Sequence, residues 1–109
     1  MGYDEGLLER LRDVMVDIPG VTEKKMFGGM CIMVNGNMCC GIVDELLMAR
    51  VGPDQYLQCL EVLHAREMDF TGKPLKGMVY VDPDGLAEDE DLLGWVNRCM
   101  NFMDTLPPK

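Results

Sequence analysis

Met30-Cys31-Ile32-Met33-Val34-Asn35-Gly36-Asn37-Met38-Cys39-Cys40-Gly41-Ile42-Val43 is two apolar runs joined by an Asn-Gly pair. Asn-Gly between apolar runs is the strongest short-range sign of a β-hairpin, because both central residues of the favoured turn need positive φ. The first strand extends back through Lys24-Lys25-Met26-Phe27-Gly28-Gly29, so a single strand is expected over 24–34 and its partner over 37–43. A two-residue turn sets Cys31 opposite Cys40 and Ile32 opposite Cys39. One face of the ribbon then carries Phe27, Gly29, Cys31, Met33, Met38, Cys40 and Ile42. The other carries Met26, Gly28, Met30, Ile32, Val34, Cys39 and Val43. An antiparallel sheet with one wet face alternates apolar and polar residues. This ribbon does not, so something covers both of its faces: other parts of the same chain, or a second copy or partner protein.

Before the hairpin, Leu7, Leu8, Leu11, Val14, Met15 and Ile18 repeat at helical spacing. Asp4 is placed to cap that helix and Pro19-Gly20 to stop it. After the hairpin, Asp44-Glu45 makes a second turn and Leu46 to Val51 a third strand. Pro53 suits the first position of a helix, and Tyr56, Leu57, Leu60 and Leu63 give that helix an apolar face over 53–64. Residues 67–70 and 77–81 read as short strands joined by the loop 71–76. Asp82-Pro83-Asp84-Gly85 is turn chemistry. A last helix starts between Glu88 and Asp91, with Leu92, Val96, Cys99, Met100 and Met103 as its stripe. The order α-β-β-β-α-β-β-α predicts an α+β, two-layer domain with a five-stranded antiparallel sheet and helices packed on a face. The 109 residues suit one domain, 1–109.

Composition excludes more than it assigns. The chain holds nineteen acidic and ten basic residues, a net charge of −9, which argues against direct nucleic-acid binding, since that needs surplus Lys and Arg. It contains no serine and one histidine, so a serine nucleophile and any two-histidine site are excluded. No apolar run approaches the ~18 residues of a membrane span, and the start of the chain lacks the pattern of a secretory signal. Cys31, Cys39, Cys40, Cys59 and Cys99 are odd in number and do not form a secreted-protein framework. A cytoplasmic protein with free thiols is expected. No metal site or cofactor is expected either, because the cysteines lack the spacing of a zinc site. A labile Cys31–Cys40 pair is the one redox option that the register leaves open.

Eleven methionines stand in the chain, and Met26, Met30, Met33 and Met38 crowd the hairpin. Met fills irregular cores and also lines adaptable binding surfaces. Phe27, Met30, Ile32, Met33 and Met38 are therefore the interface candidates. A second possibility, of a different class, is a small anion- or ligand-binding protein or enzyme with a basic cluster at the sheet edge. Lys25, Arg50 and Lys76 would hold the anion, and Tyr80 or His64 would assist. Gly28-Gly29 and Gly72-Lys73 do not fit a phosphate loop, because neither leads from a strand into a helix. Gly28-Gly29 is expected within the strand, as a bulge or a point of close backbone packing.

Lys25-Met26-Phe27-Gly28-Gly29 followed by the Asn35-Gly36 hairpin resembles the N-terminal domain of the TfoX/Sxy family, as do Leu47 and Arg50 on the third strand and Met78-Val79-Tyr80 on the last. The likeness spans about residues 7–104. It implies a two-layer α+β fold like that of type III secretion chaperones. Members of the family regulate natural competence in some bacteria and are thought to assist the cyclic-AMP receptor protein at promoters, and no catalytic residues are attributed to this domain. Full-length regulators carry a second, C-terminal domain, whereas residues 68–77 look like the single-domain branch. The expectation is therefore a non-enzymatic regulatory or protein-interaction domain without catalytic residues, acting as a homodimer or on a protein partner, with transcription as the process it assists.

Overall fold

The structure is a computed structural model that describes residues 2–26, 28–69 and 74–107. Helix α1 (Glu5–Val14) is followed by four strands, β1 (Val21–Met26), β2 (Gly29–Val34), β3 (Asn37–Val43) and β4 (Leu46–Arg50). Then come the short helix α2 (Tyr56–Leu60), β5 (Ala65–Asp69), β6 (Pro74–Val81), a 3-10 turn over Pro83–Leu86, and α3 (Asp89–Met103). The strands form one antiparallel sheet in the order β1-β2-β3-β4-β6-β5.

The α+β class and the helical layer agree with the sequence reading. The strand count does not: the sheet has six strands, because the segment expected as one strand over 24–34 folds back on itself. Met26 pairs with Gly29, so the chain reverses between them, and Gly28 adopts φ +76°. A left-handed backbone is costly for any residue with a Cβ, so a glycine marks a turn here rather than a strand interior. The paired region also begins earlier than expected, at Val21.

Local chemistry explains the other joints. The Asp4 carboxylate accepts a hydrogen bond from the Leu7 amide at 3.1 Å, capping α1 as its position suggests. Asn35 (φ +53°) and Gly36 (φ +84°) make the left-handed hairpin turn between β2 and β3. Asp44 (φ +52°) turns β3 into β4, and its backbone joins Gly2 and Asp4 through two hydrogen bonds of 2.8 and 2.6 Å. α2 is a helix of five residues, shorter than the predicted 53–64. The chain leaves it through turns, and His64 takes φ +72°.

All three helices lie on one face of the sheet. Leu7, Leu8 and Leu11 of α1, Tyr56 and Cys59 of α2, and Leu92, Trp95, Val96, Cys99 and Met103 of α3 share one buried core with Ile32, Val34, Cys40, Ile42, Leu47, Ala49, Val79 and Val81. Between α1 and β1, Arg12 grips Glu23 with two hydrogen bonds of 2.6 and 2.7 Å.

Candidate functional site

Alternation along each strand decides which side chains face away from the helices. The paired positions Thr22–Met33, Lys24–Cys31, Met26–Gly29, Met33–Met38, Cys31–Gly41, Val43–Leu46, Gly41–Met48, Met48–Tyr80 and Tyr80–Arg66 share that far face. It has an apolar cluster of its own. Cys31, Met38, Met48 and Met68 are buried in it, and Met26, Met33, Val43, Met78 and Tyr80 pack around them half-buried. No side chain of α1, α2 or α3 joins this cluster among the described residues. Six of the eleven methionines stand here.

The floor is built around a missing side chain. Gly41 stands at its centre, and the Met48 methyl group occupies the space that a Cβ on Gly41 would contact, 3.0 Å away. The Cys31 thiol points toward the Met26 carbonyl at 3.9 Å, and burial pushes it up to about 11. At the rim, the Arg66 guanidinium lies 5.2 Å from the centre of the Tyr80 ring and donates to Asp82 at 3.2 Å. Lys24, exposed on β1, stands opposite Cys31. Among the described residues this face is apolar and rich in methionine, with Lys24 exposed on one edge strand and the Arg66–Asp82 ion pair at the other.

A family model, the TfoX N-terminal domain, matches residues 13–103, most of the chain. The chain belongs to the TfoX N-terminal domain family. No curated protein and no solved structure matches it.

In this TfoX N-terminal domain the five interface candidates separate. Met33 and Met38 stand on the far face. Ile32 does not: it is 1% exposed beneath the helices and cannot meet a partner. Met30 packs against that same helical core. Phe27 lies outside the described residues. The face assignment fails partway because the hairpin register slips. Val34 pairs with Asn37 and Met33 with Met38 as a two-residue turn requires, but Ile32 then pairs with Cys40 and Cys31 with Gly41. Cys39 is the extra residue, a β-bulge. From there on the β3 side chains change faces: Cys40 and Ile42 go under the helices, and Cys31 faces a glycine. The Cys31–Cys40 pairing is therefore removed, and the two thiols belong to different clusters on opposite sides of the sheet.

The basic trio is not assembled. Lys25 is exposed on the edge strand β1, three strand spacings or about 14 Å from β4. It lines a cavity of about 570 Å³ with Gly2, Tyr3, Glu5, Met26, Gly28 and Gly29. Arg50, at the end of β4, spends its guanidinium on the Met38 carbonyl (3.2 Å) and the Phe102 ring (5.2 Å). Lys76 is exposed on β6. His64 and Tyr80 part company as well. His64 lines a separate groove of about 390 Å³ with Asp84, Glu90, Asp91 and Arg98, while Tyr80 sits beneath Arg66. Among the described residues no three His, Cys, Asp or Glu are placed to hold a metal ion.

The bulge also gathers thiols. Cys39 and Cys40 both enter the helical core, where Cys99 of α3 meets Cys39. Hydrogen bonds from Cys40 and Cys99, with the nearby Arg50 charge, lower the Cys39 thiol. The same contacts and full burial raise Cys40 and Cys99. Met48, Met68 and Met78 are face residues that the sequence reading does not single out, and Tyr80, expected beside an anion, stands on the same face. The signal for Met48 lies in its alternation with Leu47 and Ala49, and for Met78 in its alternation with Val79.

Proposed function

We propose that the chain is a non-enzymatic protein-interaction domain of the TfoX kind, which binds through the methionine face of its sheet and assists transcription through the protein it contacts. One observation carries this reading: an apolar cluster on the face opposite all three helices, built from flexible, unbranched side chains. Methionine-rich surfaces adapt to the shape of what they meet, and contiguous apolar surface away from the main core marks interaction sites. Family membership supports a role beside regulators, and the net charge of −9 favours a protein over DNA as the thing touched. No helix among the described residues is long and apolar enough to cross a membrane.

The test compares the wild-type chain with Met33→Glu on the proposed face and Leu57→Glu on the exposed side of α2. Light scattering over a wide concentration range reads self-association, and affinity capture from native extract reads other partners. Association lost in Met33→Glu and kept in Leu57→Glu is expected. Association lost only in Leu57→Glu, or none in either assay, overturns the proposal.

A further inference from the structure

The helical side of the sheet holds a second feature, separate from the methionine face. The bulge at Cys39 turns two successive thiols, Cys39 and Cys40, into the core under the helices, where Cys99 of α3 meets Cys39. Two thioethers complete the group. The Cys39 sulfur lies 4.0 Å from the Met100 sulfur, and the Cys40 sulfur lies 3.8 Å from that of Met15. Sulfurs from β3, α3 and the end of α1 thus form one linked group, and its three thiols are fully buried. The Arg50 backbone amide donates to the Cys99 sulfur. The Arg50 guanidinium, lying on the Phe102 ring, sets a positive charge near Cys39.

Thiolate and thioether sulfurs are soft donors, and together they select Cu(I) over harder ions. Zinc fits poorly. It wants four Cys, His or carboxylate ligands in a tetrahedron, and among the described residues no three such groups are placed to share an ion. Cu(I), a closed-shell ion of single charge, is satisfied by two or three sulfurs. Sulfurs that share one ion in a trigonal plane, each at a bond of about 2.3 Å, lie about 4 Å apart. Cys39 and Met100 have that separation. Charge selects the same ion. Two thiolates, one monovalent cation and the Arg50 guanidinium are neutral together, whereas a divalent ion leaves a net charge in a dry core, at high cost. From this geometry we infer that Cys39, Cys99 and Met100 form a binding site for one Cu(I) ion, with Cys40 and Met15 as its outer sulfurs. Binding forms two copper–thiolate bonds and releases two protons, one from each thiol, with no change of oxidation state. Met100 is the way in: it is half-buried and lines a cavity of about 200 Å³ with Val34, Asn37 and Met103.

The test uses the full chain, reduced and under argon, and Cu(I) held by bathocuproine disulfonate, a coloured chelator with which the protein must compete. Loss of colour equivalent to one Cu(I) per chain is expected, with only sulfur neighbours at about 2.3 Å in the X-ray absorption spectrum. The unfolding temperature rises as Cu(I) is added, because the ion binds the folded state. Cys39→Ala and Cys99→Ala each weaken the competition by at least about a hundredfold, the upper end of what losing even an outer-shell partner costs. Met100→Leu, a half-buried swap of similar volume, weakens it by about tenfold, so the inference stays testable where a core thiol variant fails to fold. Cys31→Ala, on the other side of the sheet, binds as the wild type does. Packing alone makes the opposite forecast, that the sulfurs are small buried hydrophobes which take no metal. No transfer of Cu(I) from the chelator overturns the inference. So does transfer that Cys39→Ala, Cys99→Ala and Met100→Leu leave unchanged, transfer lost in Cys31→Ala, or a spectrum with nitrogen or oxygen neighbours.

Discussion

Met48 fills the space over Gly41: its methyl carbon lies 3.0 Å from where a Cβ on Gly41 would stand, on the side of the sheet away from the helices. The same added carbon would meet the Met30 carbonyl at 2.8 Å and the Cys31 Cα at 3.0 Å. A methionine methyl can swing aside, but neighbouring strand backbone cannot. Gly41→Ala is therefore expected to destabilise the fold by about 1–3 kcal/mol, the cost of overpacking a close contact. That exceeds the roughly 0.5–1 kcal/mol gained by replacing a strand glycine. Urea unfolding measures it, and a neutral or stabilising result would show that Gly41 and Met48 are not in this contact.

The two faces make a sharper forecast for the neighbours Ile32 and Met33. Ile32 is 1% exposed among the helices, whereas Met33 is half-buried at the edge of the methionine cluster. Ile32→Ala should cost about 2–5 kcal/mol, the usual range for a truncated core aliphatic. Met33→Ala should cost clearly less, because part of its surface already meets water. Equal costs in denaturant unfolding would contradict the face assignment.

The sequence made the Asn35-Gly36 turn, the Asp4 cap and the helical stripes readable because each depends on residues a few positions apart. The remaining features depend on distant contacts. Gly28-Gly29 suits both a strand kink and a tight turn, and only the pairing of Met26 with Gly29 decides for the turn and adds a sixth strand. The bulge at Cys39 has no periodic signature, since Met38-Cys39-Cys40 is apolar on either face. One extra residue moved Cys40 and Ile42 to the other side of the sheet and left Cys31 opposite Gly41. Two of the five interface candidates were legible for the same reason: Met33 and Met38 lie on the turn side of the slip, where the simple register holds. Grouping Lys25, Arg50 and Lys76 needs the strand order, which local sequence does not carry: β2 and β3 stand between the first two.

Arg12 and Glu23 tie α1 to the edge strand, and their pair sets a pH dependence. The two hydrogen bonds from Arg12 hold the Glu23 carboxyl below its ordinary range, against the opposing effect of burial. A carboxyl whose folded-state pKa is depressed adds stability above its unfolded-state pKa, about 4.3 for Glu, and loses it as the pH falls through the folded-state value. Glu23→Gln removes this contribution at neutral pH and flattens the acid side of the stability curve below about pH 5. Both partners are largely solvated, so the effect is small and shrinks in salt. Unfolding midpoints for the two chains measured from neutral to acid pH should converge. Curves that run parallel across that range would show that Glu23 keeps no depressed pKa.

The thiols offer a test in which two influences oppose each other. The Cys39 thiol is lowered by its bonds from Cys40 and Cys99 and by the Arg50 charge, and a lower thiol pKa favours alkylation. Yet Cys39, Cys40, Cys99 and Cys31 are all 0% exposed. Alkylation needs contact between the sulfur and the reagent, so burial dominates, and iodoacetamide can reach these sulfurs only when the fold opens. Labelling of the native chain, followed by mass spectrometry, should be slow at all four and should accelerate with denaturant in step with unfolding. Cys59, at 3% exposure on the short helix α2, should be modified first, because a five-residue helix opens locally at lower cost than the sheet. Diamide should give no Cys31–Cys40 disulfide while the chain is folded, since the sheet stands between them. Prompt labelling of Cys39 in native buffer, or that crosslink, would mean that β3 does not hold the bulged register described above.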